Sequence, residues 1–303
     1  MSKYFIITVD TEGDNLWDWI PGTVITTNNI NYIERFQLLC NKYGFKPVYL
    51  SNYEMLSSDN YIDFAKKYES KGECEIGLHL HAWNNPPLYE LERKYDQPSY
   101  LIEYPYDIMK AKFKEIFDLF VKRMGKIPVS HRAGRWAMNS DYFNILKEFG
   151  IKVDCSYTPH VDWSNNVGAQ RGGVNYKNIL EKASNINGVY EVPMTIRKIR
   201  WSQCGGWKHI LKSIVIGSYV WLRPASSKVP DMISVLKNEL NSTNDFVEFM
   251  IHSSELMPGG SPYYTDEKAI ENLYQDMEKV FSTAKQLGYK GITLEEYYNK
   301  HSR

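Results

Sequence analysis

The sequence predicts an α/β fold in which parallel strands alternate with helices and form a closed or nearly closed (β/α) barrel. Short apolar runs alternate with amphipathic segments, about seven or eight such units follow one another, and no repeat, low-complexity tract or convincing linker interrupts them. The 303 residues, 43% of them hydrophobic, suffice for one large core. We therefore expect a single domain over residues 1–303, with a doubly wound open sheet as the alternative.

The elements are predicted from composition, periodicity and end signals. Runs rich in β-branched and aromatic residues predict strands at residues 4–9, 46–50, 75–78, 127–130, 151–153, 189–192, 246–251 and 291–294. Apolar residues at helical spacing predict helices at 28–43, 59–71, 106–124, 139–149, 229–240 and 265–287. Five of these helices end just before a glycine, the usual C-terminal signal. Residues 164–225 are glycine-rich and poorly periodic, which predicts an insertion that decorates the barrel and shapes a substrate groove.

Charge and composition argue against several classes of partner. The chain has 36 basic and 36 acidic residues and no run of four Lys or Arg, so neither nucleic acid nor an anionic membrane surface is an expected partner. No apolar stretch reaches the ~20 residues of a spanning helix, and the N-terminus does not resemble a signal peptide. The four cysteines form no C-x-x-C pair. We expect a cytoplasmic protein without membrane insertion.

Polar residues follow five predicted strands, at the end where a barrel carries its active site. They are Asp10, Glu12 and Asp14 after the first strand, His79 and His81 after the third, Arg132 and Arg135 after the fourth, Asp154 after the fifth, and His252 after the seventh. Two imidazoles two residues apart point the same way on extended chain and can bind a metal, although hydrogen-bonded structural histidines are the alternative. Together the set matches metal-assisted hydrolysis.

The order of these residues resembles the polysaccharide deacetylases of the NodB-homology type, carbohydrate esterase family four, and in particular the branch found in surface-polysaccharide (O-antigen, lipopolysaccharide) biosynthesis. The segments that carry the resemblance are Thr8-Val9-Asp10-Thr11-Glu12-Gly13-Asp14, His79-Leu80-His81, Arg132-Ala133-Gly134-Arg135-Trp136, Asp154-Cys155-Ser156 and Met250-Ile251-His252. They occur in family order and cover nearly the whole chain. The resemblance implies a distorted (β/α)7 barrel and removal of an N-acetyl group from an amino sugar.

Three positions differ from the family pattern. The adjacent Asp-Asp pair is replaced by Asp10-x-Glu12, the second histidine follows the first by two residues instead of four, and the proline of the third motif is absent. By position, the resemblance implies a metal held by Glu12, His79 and His81, with Asp14 as a rival to Glu12. Two nitrogens and one oxygen suit Zn²⁺, and Co²⁺ or Ni²⁺ also fit.

The resemblance also implies the catalytic roles. Asp10 is the general base, Arg132 orients Asp10 and lowers its pKa, His252 protonates the leaving amine, and Asp154 keeps His252 charged and oriented. The expected substrate-binding residues form an aromatic rim with two polar members. They are Trp17, Trp83, Arg135, Trp136, Trp163 and His160.

The predicted function is therefore a metal-dependent hydrolase acting on an acetylated amino sugar of a bacterial surface polysaccharide or its precursor. A metal-independent amide hydrolase of the same superfamily and a catalytically inactive glycan-binding protein are the alternatives.

Overall fold

A computed structural model describes residues 2–20, 22–200 and 217–302. Its strands are β1 (Tyr4–Thr11), β2 (Pro47–Ser51), β3 (Glu75–Leu80), β4 (Ser130–Ala133), β5 (Val153–Asp154), β6 (Ser184–Ile186), β7 (Val189–Glu191), β8 (Ile196–Ile199), β9 (Ser218–Trp221), β10 (Phe246–His252) and β11 (Lys290–Gly291). Its α-helices are α1 (Ile30–Tyr43), α2 (Tyr53–Ser57), α3 (Asp59–Glu69), α4 (Tyr106–Met124), α5 (Ser140–Glu148), α6 (Val229–Glu239), α7 (Glu267–Gln286) and α8 (Leu294–His301). The alternation of strands and helices predicted from the sequence is confirmed.

The main sheet is parallel along the order β10-β1-β2-β3-β4-β5-β7, with β11 beside the start of β1 and β6 antiparallel at the far edge. The sheet curls strongly. Arg132 on β4 reaches Glu248 on β10, although three strands lie between them in the hydrogen-bonded order. The α/β fold with a curled, partly open barrel is thus confirmed.

The open side of the barrel is covered by the hairpin β8–β9. The backbone N–H of Glu248 donates to Thr195 Oγ1 at 2.7 Å, and the backbone N–H of Met250 donates to the Leu222 carbonyl at 3.1 Å. Backbone groups on the open edge of β10 are therefore satisfied by residues flanking the hairpin.

Alternation of side chains decides which residues enter the barrel interior. On β1, Phe5, Ile7 and Val9 pack with the helices in the main hydrophobic cluster. Thr8 and Asp10, between and after them, therefore point into the barrel. The same pattern holds on β3 and β10, where Leu78, Leu80, Phe249 and Ile251 pack outward. This places His79, Glu248 and His252 on the inner face.

Some predicted boundaries were wrong. The segment 164–225 is more than a decorating insertion, because it contains β7, which pairs with β5 in the main sheet. Part of this segment, residues 201–216, lies outside the described residues. The fourth strand was predicted at 127–130, whereas β4 begins at Ser130 and includes His131 and Arg132. Within the described ranges, no helix combines the length and apolar character that crossing a bilayer requires.

Candidate active site

A cluster of one carboxylate and two imidazoles lies at the carboxyl ends of β1 and β3. Glu12 Oε2 lies 2.6 Å from His81 Nε2 and 3.5 Å from His79 Nε2, and the two ring nitrogens are 3.0 Å apart. All three side chains are buried. The structure therefore brings together the three residues predicted as metal ligands, in a group that could hold a metal ion.

The protonation of this cluster favours a cation at its centre. His79 Nδ1 lies 3.0 Å from the Arg132 carbonyl, which can only accept, so Nδ1 carries the proton and the neutral ring has a lone pair on Nε2. That lone pair and a Glu12 oxygen both face His81 Nε2, and both are hydrogen-bond acceptors. A single proton on His81 Nε2 cannot donate a full hydrogen bond to both of them. A divalent ion replacing that proton would meet two nitrogens and one oxygen, a donor set typical of zinc sites.

Two of the three pKa values of the cluster, those of Glu12 and His81, agree with this fit. Burial raises the pKa of Glu12, but the neighbouring imidazoles lower it more, and the net value is well below the ordinary one. Burial lowers the pKa of His81, which favours the neutral, metal-binding form. The pKa of His79 is raised instead, because the negative charges of Asp10 and Glu12 outweigh the lowering effect of burial, so a metal ion at this site would compete with a proton on His79.

Asp14, the predicted rival ligand, has another role. Its carboxylate accepts hydrogen bonds from the Thr26 hydroxyl and, at 2.7 Å, from the backbone N–H of Asn28. It therefore anchors the loop between β1 and α1. Glu12 is held instead by Asn29 and Ser253, which bond its backbone carbonyl and N–H at distances between 2.8 and 3.1 Å.

Asp10 lies beside the cluster and is paired with Arg132. Arg132 Nη1 donates to Asp10 Oδ1 at 2.5 Å, while Asp10 Oδ2 lies 4.0 Å from His79 Nε2 and 3.8 Å from His252 Nε2. Burial raises the pKa of Asp10, but the charges of Arg132 and His79 outweigh it and keep the pKa below its ordinary value. Asp10 is therefore an ionised carboxylate with one oxygen occupied by Arg132 and the other turned toward the cluster.

Arg132 is fully buried between two carboxylates. It pairs with Asp10 and with Glu248, a residue of β10 that the sequence analysis did not single out. Burial raises the pKa of Glu248 to about 7, with the Arg132 charge opposing the shift. Glu248 could have been recognised in the sequence because it is the one acidic residue within the otherwise apolar strand Phe246–His252.

His252 faces the cluster, and Arg223 rather than Asp154 orients it. His252 Nε2 lies 3.8 Å from both Asp10 Oδ2 and Glu12 Oε1. Arg223 Nη2 donates to His252 Nδ1 at 3.1 Å and to Glu255 Oε1 at 2.9 Å. Since a guanidinium only donates, Nδ1 must accept, and a neutral His252 carries its proton on Nε2, toward the reaction centre.

The predicted partnership of Asp154 with His252 was wrong. β5 pairs with β4, so Asp154 lies next to His131 and accepts a hydrogen bond from its Nδ1 at 2.7 Å. Its carboxylate also accepts from the Ser156 hydroxyl at 2.9 Å. His131 in turn contacts the Tyr142 hydroxyl at 2.7 Å, which makes this buried network a support beneath the site.

A cleft of about 510 Å³ opens above the cluster, and both aromatic and polar side chains line it. The predicted substrate-binding residues Trp17, Trp83, Arg135, Trp136 and Trp163 line it, together with Trp19, Tyr100, Tyr263, Arg223 and His252. Its volume lies within the ordinary range of small-molecule sites. His160 is not among these lining residues; it pairs with Glu181 at 2.7 Å and stacks on Tyr219 instead.

Two of the tryptophans contact the ionisable centre directly. Trp17 packs edge-on against the His252 ring, 5.0 Å between centroids, and its indole N–H donates to Ser254 Oγ at 3.0 Å. Trp83 lies 4.3 Å from the His81 ring. Aromatic surface at the mouth of a polar centre suits the apolar faces of a sugar ring.

No protein-family model and no curated protein matches this sequence. Solved structures with a similar fold include a protein named as a polysaccharide deacetylase from Mycobacterium smegmatis, with a TM-score of 0.53 at 13% identity over 99% of this chain and 91% of that one. A 4-alpha-glucanotransferase from Thermococcus litoralis has a TM-score of 0.57 at 12% identity, and this chain, matched over its full length, covers 41% of it. A GH57 branching enzyme from Thermococcus kodakaraensis has a TM-score of 0.56 at 11% identity, over all of this chain and 72% of that one. At these identities the likeness establishes a shared fold.

Proposed function

We propose that this protein is a metal-dependent hydrolase that removes the N-acetyl group from an amino sugar of a surface polysaccharide or its precursor. The observation that carries the proposal is the convergence of Glu12, His79 and His81 beside an ionised Asp10 and a proton-bearing His252 in one cleft. Such a set has the groups that amide hydrolysis needs: a metal site, a base and an acid.

The three cluster residues would hold a divalent ion, with zinc the best match to two nitrogens and one oxygen. Bound there, such an ion supplies Lewis-acid chemistry, polarising a carbonyl oxygen and lowering the pKa of water. The chain's own residues perform the proton transfers. Asp10 Oδ2 accepts a proton from water, since Arg132 occupies Oδ1 and keeps the carboxylate ionised.

His252 then acts as the general acid. Its Nε2–H faces the side chains of Asp10 and Glu12, so it can pass this proton to the leaving nitrogen of the amide. Nε2 then takes up the proton that Asp10 Oδ2, 3.8 Å away, accepted from water, so that the ring is neutral and Asp10 is ionised again at the end of the step. The tryptophans of the cleft would hold the sugar ring and exclude bulk water. The products would be acetate and an amino sugar.

The direct test is acetate release from a panel of N-acetylated sugars, free, phosphorylated and polymeric, with and without a chelator. We expect release from at least one of them, lost with the chelator and restored by Zn²⁺. Release that is indifferent to the chelator would favour a metal-independent amide hydrolase. Binding without release from any member would favour an inactive glycan-binding protein.

A further inference from the structure

Arg135 carries a half-buried positive charge on the cleft wall without a carboxylate partner among the described residues. The other buried and half-buried arginines of the described ranges all have one. These pairs are Arg123–Asp59, Arg132–Asp10, Arg197–Glu239 and Arg223–Glu255. Withdrawing a charge from water without a counter-ion is unfavourable, so the exception is informative.

The guanidinium of Arg135 is held in place by neutral groups. Its Nη1 donates to the Pro98 carbonyl, its Nη2 donates to the Val167 carbonyl at 2.9 Å, and its central carbon lies 4.1 Å from the centre of the Tyr100 ring. These contacts fix its position, but none of them is an ion pair, and the charge of Glu103 acts on the guanidinium only from beyond ion-pair distance. Burial accordingly lowers the pKa of Arg135.

The surrounding loops are themselves fixed. The carboxylate of Glu103 accepts hydrogen bonds from the backbone N–H groups of Ala169, Gln170 and Arg171, at 2.8 to 3.0 Å. It thereby secures the segment after Val167. Arg135 is thus presented on a rigid wall of the same cleft that holds Glu12, His79 and His252, with the amides of Gln97 and Asn166 also lining it.

We propose that Arg135 binds an anionic oxygen group, a phosphate or a carboxylate, carried by the molecule that occupies the cleft. A guanidinium presents paired N–H donors that match either group. Combined with the proposed function, on which this last step rests, the inference specifies the substrate class as an anionic N-acetylated sugar.

The experiment measures binding, so it does not require turnover. The probes are N-acetylglucosamine, its 1-phosphate and N-acetylmuramic acid, and their binding is measured by calorimetry. The protein carries Asp10→Asn, so that it does not turn the probes over. The second substitutions described below are tested in this same background. We expect a charged probe to bind about 10- to 100-fold more tightly than the neutral one, the range of a charge-assisted pair. Preference for only one charged probe would distinguish phosphate from carboxylate.

Arg135→Gln should remove this preference and Arg135→Lys should retain part of it. Arg171→Gln, a matched change at an exposed arginine that bonds only the Ile102 carbonyl through its side chain, should leave it intact. Equal binding of all probes, or a preference that survives in Arg135→Gln, would overturn the inference. If the preference holds but no N-acetyl sugar releases acetate in the wild-type chain, the proposed function fails and the anion site stands.

Discussion

Replacing Arg223 by methionine should reverse the position of the proton on His252 and so weaken its action as a general acid. Arg223 is the donor that obliges Nδ1 to accept and keeps the proton on Nε2. Without it, Glu255 Oε2, 3.7 Å from Nδ1, becomes the nearest charged neighbour and favours a proton on Nδ1. The neutral ring would then turn a lone pair toward the leaving group.

The size of the expected loss in kcat follows from the hydrogen bond that stabilises the tautomer of His252 with its proton on Nδ1. A hydrogen bond from Nδ1 to the buried Glu255 carboxylate is worth about 1.5–3 kcal/mol, which lowers the fraction of productive His252 roughly 10- to 100-fold. We therefore expect kcat for acetate release from an amide to fall by about that factor. The full contribution of a general acid, about 10² to 10⁴, sets the upper limit.

The assay compares two substrates that differ in their need for an acid. An N-acetyl sugar has a poor leaving group that must be protonated, whereas an activated aryl acetate has one that leaves without a proton. Arg223→Met should therefore lose amide hydrolysis much more than ester hydrolysis, and Arg223→Lys, which still donates, should recover part of the loss. Equal losses on both substrates, or full amide activity in Arg223→Met, would show that Arg223 does not act through the proton on His252.

Three further predictions concern neighbouring groups. Asp10→Asn should lower kcat for acetate release by at least ~10², because the amide cannot take a proton from water. Gly134→Ala should weaken metal binding about 10-fold or more, since its Cβ would lie 2.4 Å from the Leu80 carbonyl oxygen and 2.6 Å from His81 Nδ1. Burial raises the pKa of Glu54 from 4.5 to about 7, so this group favours the folded state below pH 4.5 and loses that contribution as pH rises to 7. Glu54→Gln should therefore gain stability relative to wild type between those values in urea unfolding.

Each of these has a contradicting result. Full turnover of Asp10→Asn would show that another group is the base. Unchanged metal affinity of Gly134→Ala, by competition with a chelating dye, would show that the close contact does not govern His81. A constant stability difference between Glu54→Gln and wild type from pH 4.5 to 7 would show that Glu54 titrates normally in the folded protein.

The sequence predicted the part of the site that follows from strand ends. Apolar alternation located β1, β3 and β10, and because parallel strands end at one edge, Glu12, His79 and His252 were expected together. Their side chains also enter the interior as strand periodicity requires. The two-residue spacing of His79 and His81 likewise predicted that both imidazoles lie on one face, and their ring nitrogens are indeed 3.0 Å apart.

Pairings between distant strands could not be read in the same way. The position of a residue at a strand end predicts the edge of the sheet on which it lies, but not which side chain lies beside it. Asp154 was therefore assigned to His252, although β5 pairs with β4 and places Asp154 against His131. Arg223 was missed because β9 lies in a segment without clear periodicity. The Arg132–Glu248 pair depends on how far the sheet curls, which local sequence does not encode.

We propose that Glu12, His79 and His81 hold a metal ion that hydrolysis requires. The most direct measurement is the metal content of the purified protein by mass spectrometry, with acetate release from the same samples, in wild type, His81→Ala and the matched control His160→Ala. We predict about one divalent ion per chain and activity in wild type and in His160→Ala, and loss of both in His81→Ala. A metal-free wild-type chain that is fully active and unaffected by chelators would show that hydrolysis does not depend on a metal at this site.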